Sequence, residues 1–126
     1  MNRLLFVLFL FVTLTSFTQS QFDSLLLSGD FIGAEKSIQE LPSSEQLSNQ
    51  IKFDSKIGLH SKAQTLYNLE NQKLSLEQRI EVDAILRDEN GSYGRFIKTY
   101  NAELSSDSSR KTDGLILFEL ANSYKE

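Results

Sequence analysis

Cysteine and tryptophan are absent from the 126 residues, and proline and histidine occur once each, as Pro42 and His60. Without cysteine there is no disulfide framework, no thiolate zinc site, no thiol nucleophile and no cysteine-linked lipid anchor. A single histidine leaves carboxylates as the only other metal ligands, and no cluster of suitable spacing is present. The net charge is −4 with no dense basic stretch, which argues against nucleic acid as a partner. Catalytic signatures are missing as well. No G-x-S-x-G elbow occurs, and Gly91-Ser92-Tyr93-Gly94-Arg95 lacks the Gly-Lys-Ser/Thr ending of a phosphate loop. Asp88-Glu89-Asn90-Gly91 resembles the start of a calcium loop but puts Tyr93 where the sixth-position glycine belongs. Carboxylate pairs such as Asp88/Glu89 or Glu81/Asp88 are expected on solvated faces of a chain with 17 acidic residues. Asn90-Gly91-Ser92 is a formal glycosylation triplet of a kind common by chance. The expectation is a protein that is not an enzyme and carries no cofactor or metal.

What is present divides the chain in two. Residues 1–20 carry one charge, Arg3, followed by an unbroken apolar run from Leu4 to Val12 that tapers through Thr13–Phe17 into Thr18-Gln19-Ser20-Gln21. A positive start, a short apolar stretch and small residues near the end describe a secretory signal peptide, with a cut expected between Ser20 and Gln21. The apolar stretch falls short of the roughly 20 residues a spanning helix needs. The mature protein is therefore expected to be exported, periplasmic or extracellular, with no membrane attachment after cleavage. The competing outcome is an apolar leader retained as an anchor. Residues 21–126 hold 12 Lys and Arg against 17 Asp and Glu, a soluble, acidic, globular composition.

Within this second part the apolar period is helical. Tyr93, Phe96, Ile97, Tyr100 and Leu104 form one stripe, and Leu117, Leu120, Ala121 and Tyr124 form another. No sustained alternation suits a strand. Ser43 with Gln46, and Ser75 with Gln78, fit capping boxes, and Asp30 fits an N-cap. These signals predict helices at 22–28, 31–41, 44–57, 60–71, 76–89, 93–105 and 113–126, an all-α chain.

The helices also repeat. Gly29-Asp30-Phe31, Gly58-Leu59-His60 and Gly91-Ser92-Tyr93 each place a glycine at a helix end and a ring two residues later. Glycine permits the left-handed turn that ends a helix, and the ring is expected to plug the corner. Ala34, Ala63 and Phe96 follow, then Ile38, Tyr67 and Tyr100, as positions that pack the second helix on the first.

Gly29-Asp30-Phe31-Ile32-Gly33-Ala34 resembles the G-D-[YF]-x-x-A turn of the tetratricopeptide repeat, and Leu117–Tyr124 resembles the first helix of another such repeat. Phe96, where a small residue is usual, and Asp83, on an expected apolar stripe, depart from the pattern. The resemblance implies an α/α superhelix, a solenoid of helix–turn–helix repeats at about 21–42, 43–74 and 75–108 with a partial repeat at 109–126. The alternative is an irregular helical bundle. Because the last element reads as a first helix, either it caps the preceding pair unaided or the chain is the leading part of a longer solenoid; the second is preferred.

In the family this resembles, first helices line a concave binding surface. Carried onto this chain, that surface includes Ser48, Lys52 and Lys56, then Gln78, Glu81, Ile85 and Asp88, then Phe118, Asn122 and Lys125. Lys52, Lys56, Glu81, Asp88, Asn122 and Lys125 are the candidate binding residues. Lys52 stands where some family members use Asn to clamp a peptide carboxylate. The expected function is an exported module that binds a protein or peptide, the N-terminal part of a larger protein, with no catalysis of its own. The alternatives are a small secreted helical-bundle enzyme or ligand-binding protein, and a membrane-tethered sensor segment. Buried carboxylate or Arg clusters would favour a pocketed bundle, and His60 is expected to be a corner ring rather than a catalytic group or ligand.

Overall fold

A computed structural model describes residues 21–106 and 113–125. The expected leader, residues 1–20, lies outside the described residues. Helix α1 covers 21–28, α2 Phe31–Ile38, α3 Ser43–Lys56, α4 His60–Glu70, α5 Leu76–Asn90, α6 Tyr93–Ser106 and α7 Asp113–Ser123. A 3-10 turn at Asn71–Lys73 leads out of α4, and no strand occurs among the described residues. The chain is all-α.

The elbows form as the glycines predict. Gly29, Gly58 and Gly91 adopt φ of 81°, 89° and 69°, the left-handed region in which a side chain is strained. This turn lets the Leu59 N–H reach back to the Asp54 carbonyl at 2.8 Å and the Asp30 N–H to that of Leu25 at 3.0 Å, satisfying carbonyls the helix ends would otherwise leave open. Asp30 then caps α2, its Oδ1 accepting from the Gly33 N–H at 3.0 Å. Ser75 and Gln78 make the reciprocal capping box at the start of α5.

The start of α3 differs from expectation. Pro42, at φ −54° and ψ 145°, takes the cap position and Ser43 already lies in the helix, with no side-chain cap bond. Gln46 instead donates through Nε2 to the Leu41 carbonyl at 2.9 Å. Helix α2 also ends earlier than predicted. The N–H groups of Gln39, Glu40 and Leu41 bond three residues back, tightening the backbone just before the proline.

Helix α3 meets α4 and α5, and α5 meets α6 and α7; α2 also touches α3, α4 touches α5 and α6 touches α7. The core follows this pattern in three clusters. Phe22, Ala34, Ile38 and Phe53 join α1, α2 and α3. Ile51, Ala63, Tyr67, Leu74, Val82 and Leu86 join α3, α4 and α5. Ile80, Ala84, Phe96, Tyr100, Ile116 and Leu120 join α5, α6 and α7. A hairpin thus buries its seam only with help from the next helix.

Two expectations about side chains are corrected. The elbow rings are not plugs: Phe31 and His60 are exposed and Tyr93 half-buried. The first helix has ended where the second begins, so a ring there has little opposite it. Burial comes three and seven residues later, at Ala34/Ile38, Ala63/Tyr67 and Phe96/Tyr100. The predicted stripe of α7 also divides. Leu120 turns inward with Ile116 and Ser123, whereas Leu117, Ala121 and Tyr124 point outward. The departure at Phe96 has a packing reason. Where α3 sets Ile51 against Ala63 of α4, α5 sets Ala84 against Phe96 of α6, so bulk is exchanged across the seam and volume is kept.

Candidate functional site

Helices α1, α3 and α5 line a cavity of about 380 Å³. Its charged wall is Asp23 of α1, Glu45 and Lys52 of α3, and Glu77 and Glu81 of α5. Lys52 Nζ lies 3.0 Å from Glu81 Oε2, bridging α3 and α5. One ammonium therefore faces four carboxylates. Ser48, Ser75 and Gln78 complete the wall, and Gln78 Nε2 donates to the Ser44 carbonyl at 2.7 Å. Gln78 is held from both sides, by its capping box and by α3, so this part of the cleft is preset.

Of the six candidate residues, Lys52 and Glu81 are brought together here. Lys56, Asp88 and Lys125 are exposed and Asn122 is half-buried, and none of these four lines the cavity. Asp88 Oδ1 accepts from Arg87 Nε at 2.8 Å.

A second cavity of about 380 Å³ lies between α4 and the end of α5, lined in part by His60, Ser61, Thr65 and Glu89. His60 Nδ1 stands 3.3 Å from Glu89 Oε2, and Asn90 Nδ2 donates to Gln64 Oε1 at 2.9 Å. His60 is thus an exposed ring facing a carboxylate across two helices, not a corner filler. A carboxylate-held imidazole is half of a general-base arrangement. The Thr65 hydroxyl beside it donates to the Ser61 carbonyl at 2.8 Å, a bond within its own helix. Among the described residues no group of His, Asp and Glu is placed to hold a metal ion.

Buried charge is abundant between helices, and Asp83 lies on the apolar stripe where the sequence put it. Asp83 is buried, with Oδ1 2.7 Å from Arg95 Nη2 and Oδ2 accepting from the Tyr100 hydroxyl at 3.1 Å. Burial first, and then the charge of Asp83, push the Tyr100 phenol well above its ordinary range, and Tyr67 is raised for the same two reasons. Asp54 is fully buried at the equivalent seam of the preceding hairpin, with Oδ1 3.0 Å from Lys62 Nζ. Arg87 is buried between α5 and α7. It donates to Asp88, to Ser123 Oγ at 2.8 Å and to the Glu119 carbonyl at 3.0 Å, and its guanidinium lies 4.7 Å from the centre of the Phe96 ring. Burial alone would lower its pKa; Asp88 and Glu119 outweigh that and hold it above its ordinary value. These carboxylates and this arginine fasten one helix to another and line neither cavity. Two sequence signals point to them: the place of Asp83 on an apolar stripe, and a cation four residues past the elbow glycine, at both Lys62 and Arg95.

No family model, curated protein or solved structure matches the chain.

Proposed function

We infer that the chain is an exported helical-repeat module of tetratricopeptide type, the N-terminal part of a larger protein, which binds a protein or peptide segment and catalyses nothing itself. The observation that carries this reading is the contact order of the first helices, α3 against α5 and α5 against α7, with a preset polar cleft along α1, α3 and α5. Adjacent first helices in file are what a repeat superhelix requires, and an irregular bundle has no reason to repeat the same three-helix cluster. Rigid helices hold such a cleft open, so little ordering entropy is lost on association. With four carboxylates against one lysine, the cleft suits a segment rich in Lys or Arg.

Affinity capture from the exported fraction, with the full chain as bait, tests this. The expected result is a partner that is lost when Glu45→Lys and Glu77→Lys are combined and retained when Leu117→Glu is introduced. A partner indifferent to the cleft substitutions would refute the binding site. Export is tested separately by fusing residues 1–25 to a reporter, which is expected to leave the cytoplasm; retention there would refute that part.

A further inference from the structure

Arg87 and its surroundings have a counterpart one hairpin earlier. A shift of 33 residues carries Asp54 of α3 onto Arg87 of α5, and His60, Ala63 and Tyr67 of α4 onto Tyr93, Phe96 and Tyr100 of α6. A shift of 34, which carries Val82 and Leu86 onto Ile116 and Leu120, carries Glu89 onto Ser123. In the later hairpin the space between α6 and α7 is filled from within the chain. Arg87, 3% exposed, lies 5.6 Å from the centre of the Tyr93 ring and donates through Nη1 to Ser123 Oγ at 2.8 Å. In the earlier hairpin His60 and Glu89, the counterparts of Tyr93 and Ser123, both line the cavity of about 380 Å³ between α4 and α5. Asp54, in the place of Arg87, is too short to fill that space, and its Oδ2 is buried with no partner among the described residues.

We propose that this cavity binds a guanidinium group from outside the chain, lying where the Arg87 side chain lies one hairpin later. Its wall is built to accept N–H groups. Glu89 is the one carboxylate on it, and no Lys or Arg among the described residues lines it. The Asn90 amide donates to Gln64 Oε1, the Gln64 amide to Asn68 Oδ1 and the Thr65 hydroxyl to the Ser61 carbonyl. The lone pairs of Glu89 and Thr65 are left for a ligand. Arg87 takes its compensating charge from Asp88 and Glu119. The counterparts of those two are Ser55 and Ile85, and Glu89 supplies the charge in their stead. A planar guanidinium stacks on a ring and forks onto a carboxylate, which an ammonium does not do. Here His60 is the ring and Glu89 the carboxylate, 3.3 Å from it. A partner's arginine side chain and a free small guanidinium compound share this chemistry. The cavity has no residue in common with the cleft along α1, α3 and α5 and stands independently of what that cleft binds.

His60 is the only histidine of the chain, so its ring protons report on the cavity without ambiguity. The full chain, at about pH 8 and constant ionic strength, is titrated with methylguanidinium and separately with N-acetyl-arginine amide, and the ring signals are followed by proton NMR. A saturable shift is expected with at least one of the two. Glu89→Gln is expected to weaken it about fivefold or more, and Glu45→Lys combined with Glu77→Lys to leave it unchanged. Thr65→Lys, an exposed helix position that sets an ammonium against the cavity, is expected to abolish it. A circular-dichroism melt checks that each variant is folded. Tighter binding of N-acetyl-arginine amide assigns the guanidinium to a partner's side chain, and tighter binding of methylguanidinium to a free compound. No saturable shift with either probe, an equal shift from N-acetyl-lysine amide, or a response that both cavity variants leave intact overturns the proposal. A shift lost with the cleft substitutions overturns it too, because the cation would then sit in the cleft.

Discussion

Helices α5 and α7 are anchored alike and finished differently. Each seats two aliphatic side chains on the preceding hairpin, Val82 and Leu86 in one case and Ile116 and Leu120 in the other. On its other face α5 carries an aspartate, an alanine and an arginine, all buried, and α7 carries leucine, phenylalanine and alanine, all exposed. The more polar face is the covered one. Burial here is decided by whether a helix lies opposite, and hydropathy alone ranks the two faces in the wrong order. The charged side chains of α5 tolerate burial because α6 and α7 supply a guanidinium, a phenol, a hydroxyl and a carboxylate within bonding reach.

The sharpest way to break this contrast is to remove a ring from each side. Phe96→Ala, which empties the seam between α5 and α6, is expected to cost roughly 3–5 kcal/mol in denaturant unfolding. Phe118→Ala is expected to stay within about 0.5 kcal/mol. Comparable losses would mean that the α7 face is covered in solution.

A smaller effect distinguishes the polar seam of α5. Tyr100 and Tyr67 are both held above the ordinary phenol value of 10.0, first by burial and then by the Asp83 charge. In the unfolded chain these protons leave as pH passes about 10, while the folded state retains them. The stability these phenols contribute is therefore full below that pH and is lost as pH rises above it; for Tyr100, the more strongly raised of the two, the loss approaches about 1.4 kcal/mol per pH unit. Denaturation series between pH 8 and 11 check this, and replacing both residues with Phe is expected to flatten the decline.

The smallest effect concerns the fastening of α7. Glu119→Gln weakens the ion pair with Arg87, 3.2 Å long in the native chain, and is expected to cost about 1 kcal/mol or less. Hydrogen exchange should show the loss in the amides of α7 and leave those of α5 unchanged. Equal acceleration in both helices would mean that α7 does not open independently.

The helices themselves were readable from one dimension. A 3.6-residue apolar period, three glycines and a Ser75–Gln78 box are local signals, and local signals fix helix limits. The Ser43 cap misled because the preceding proline, with its fixed φ, holds the position the serine would need. The buried charges could not be seen for a different reason. Asp83 shows in the sequence only as a break in an apolar stripe, nothing there marks Asp54 or Arg87 as buried, and the partners that hold all three sit on other helices. The Lys52–Glu81 bridge has the same character: both residues were named as candidates, but only the packing of α3 on α5 brings their ends together. The stripe read along α7 mixed two faces, since Leu120 belongs inside and its neighbours Leu117 and Ala121 outside.

The exchange of bulk between Ile51/Ala63 and Ala84/Phe96 bears on how the chain reaches its fold. Look-alike hairpins in tandem invite mistaken partnerships, in which one segment zips onto its neighbour's counterpart. Offering α6 to α3 would drive Phe96 into Ile51, and offering α4 to α5 would leave a hollow between two alanines. Both mismatches are penalised by steric shape alone, so the asymmetry works as a key that keeps each pairing faithful during assembly.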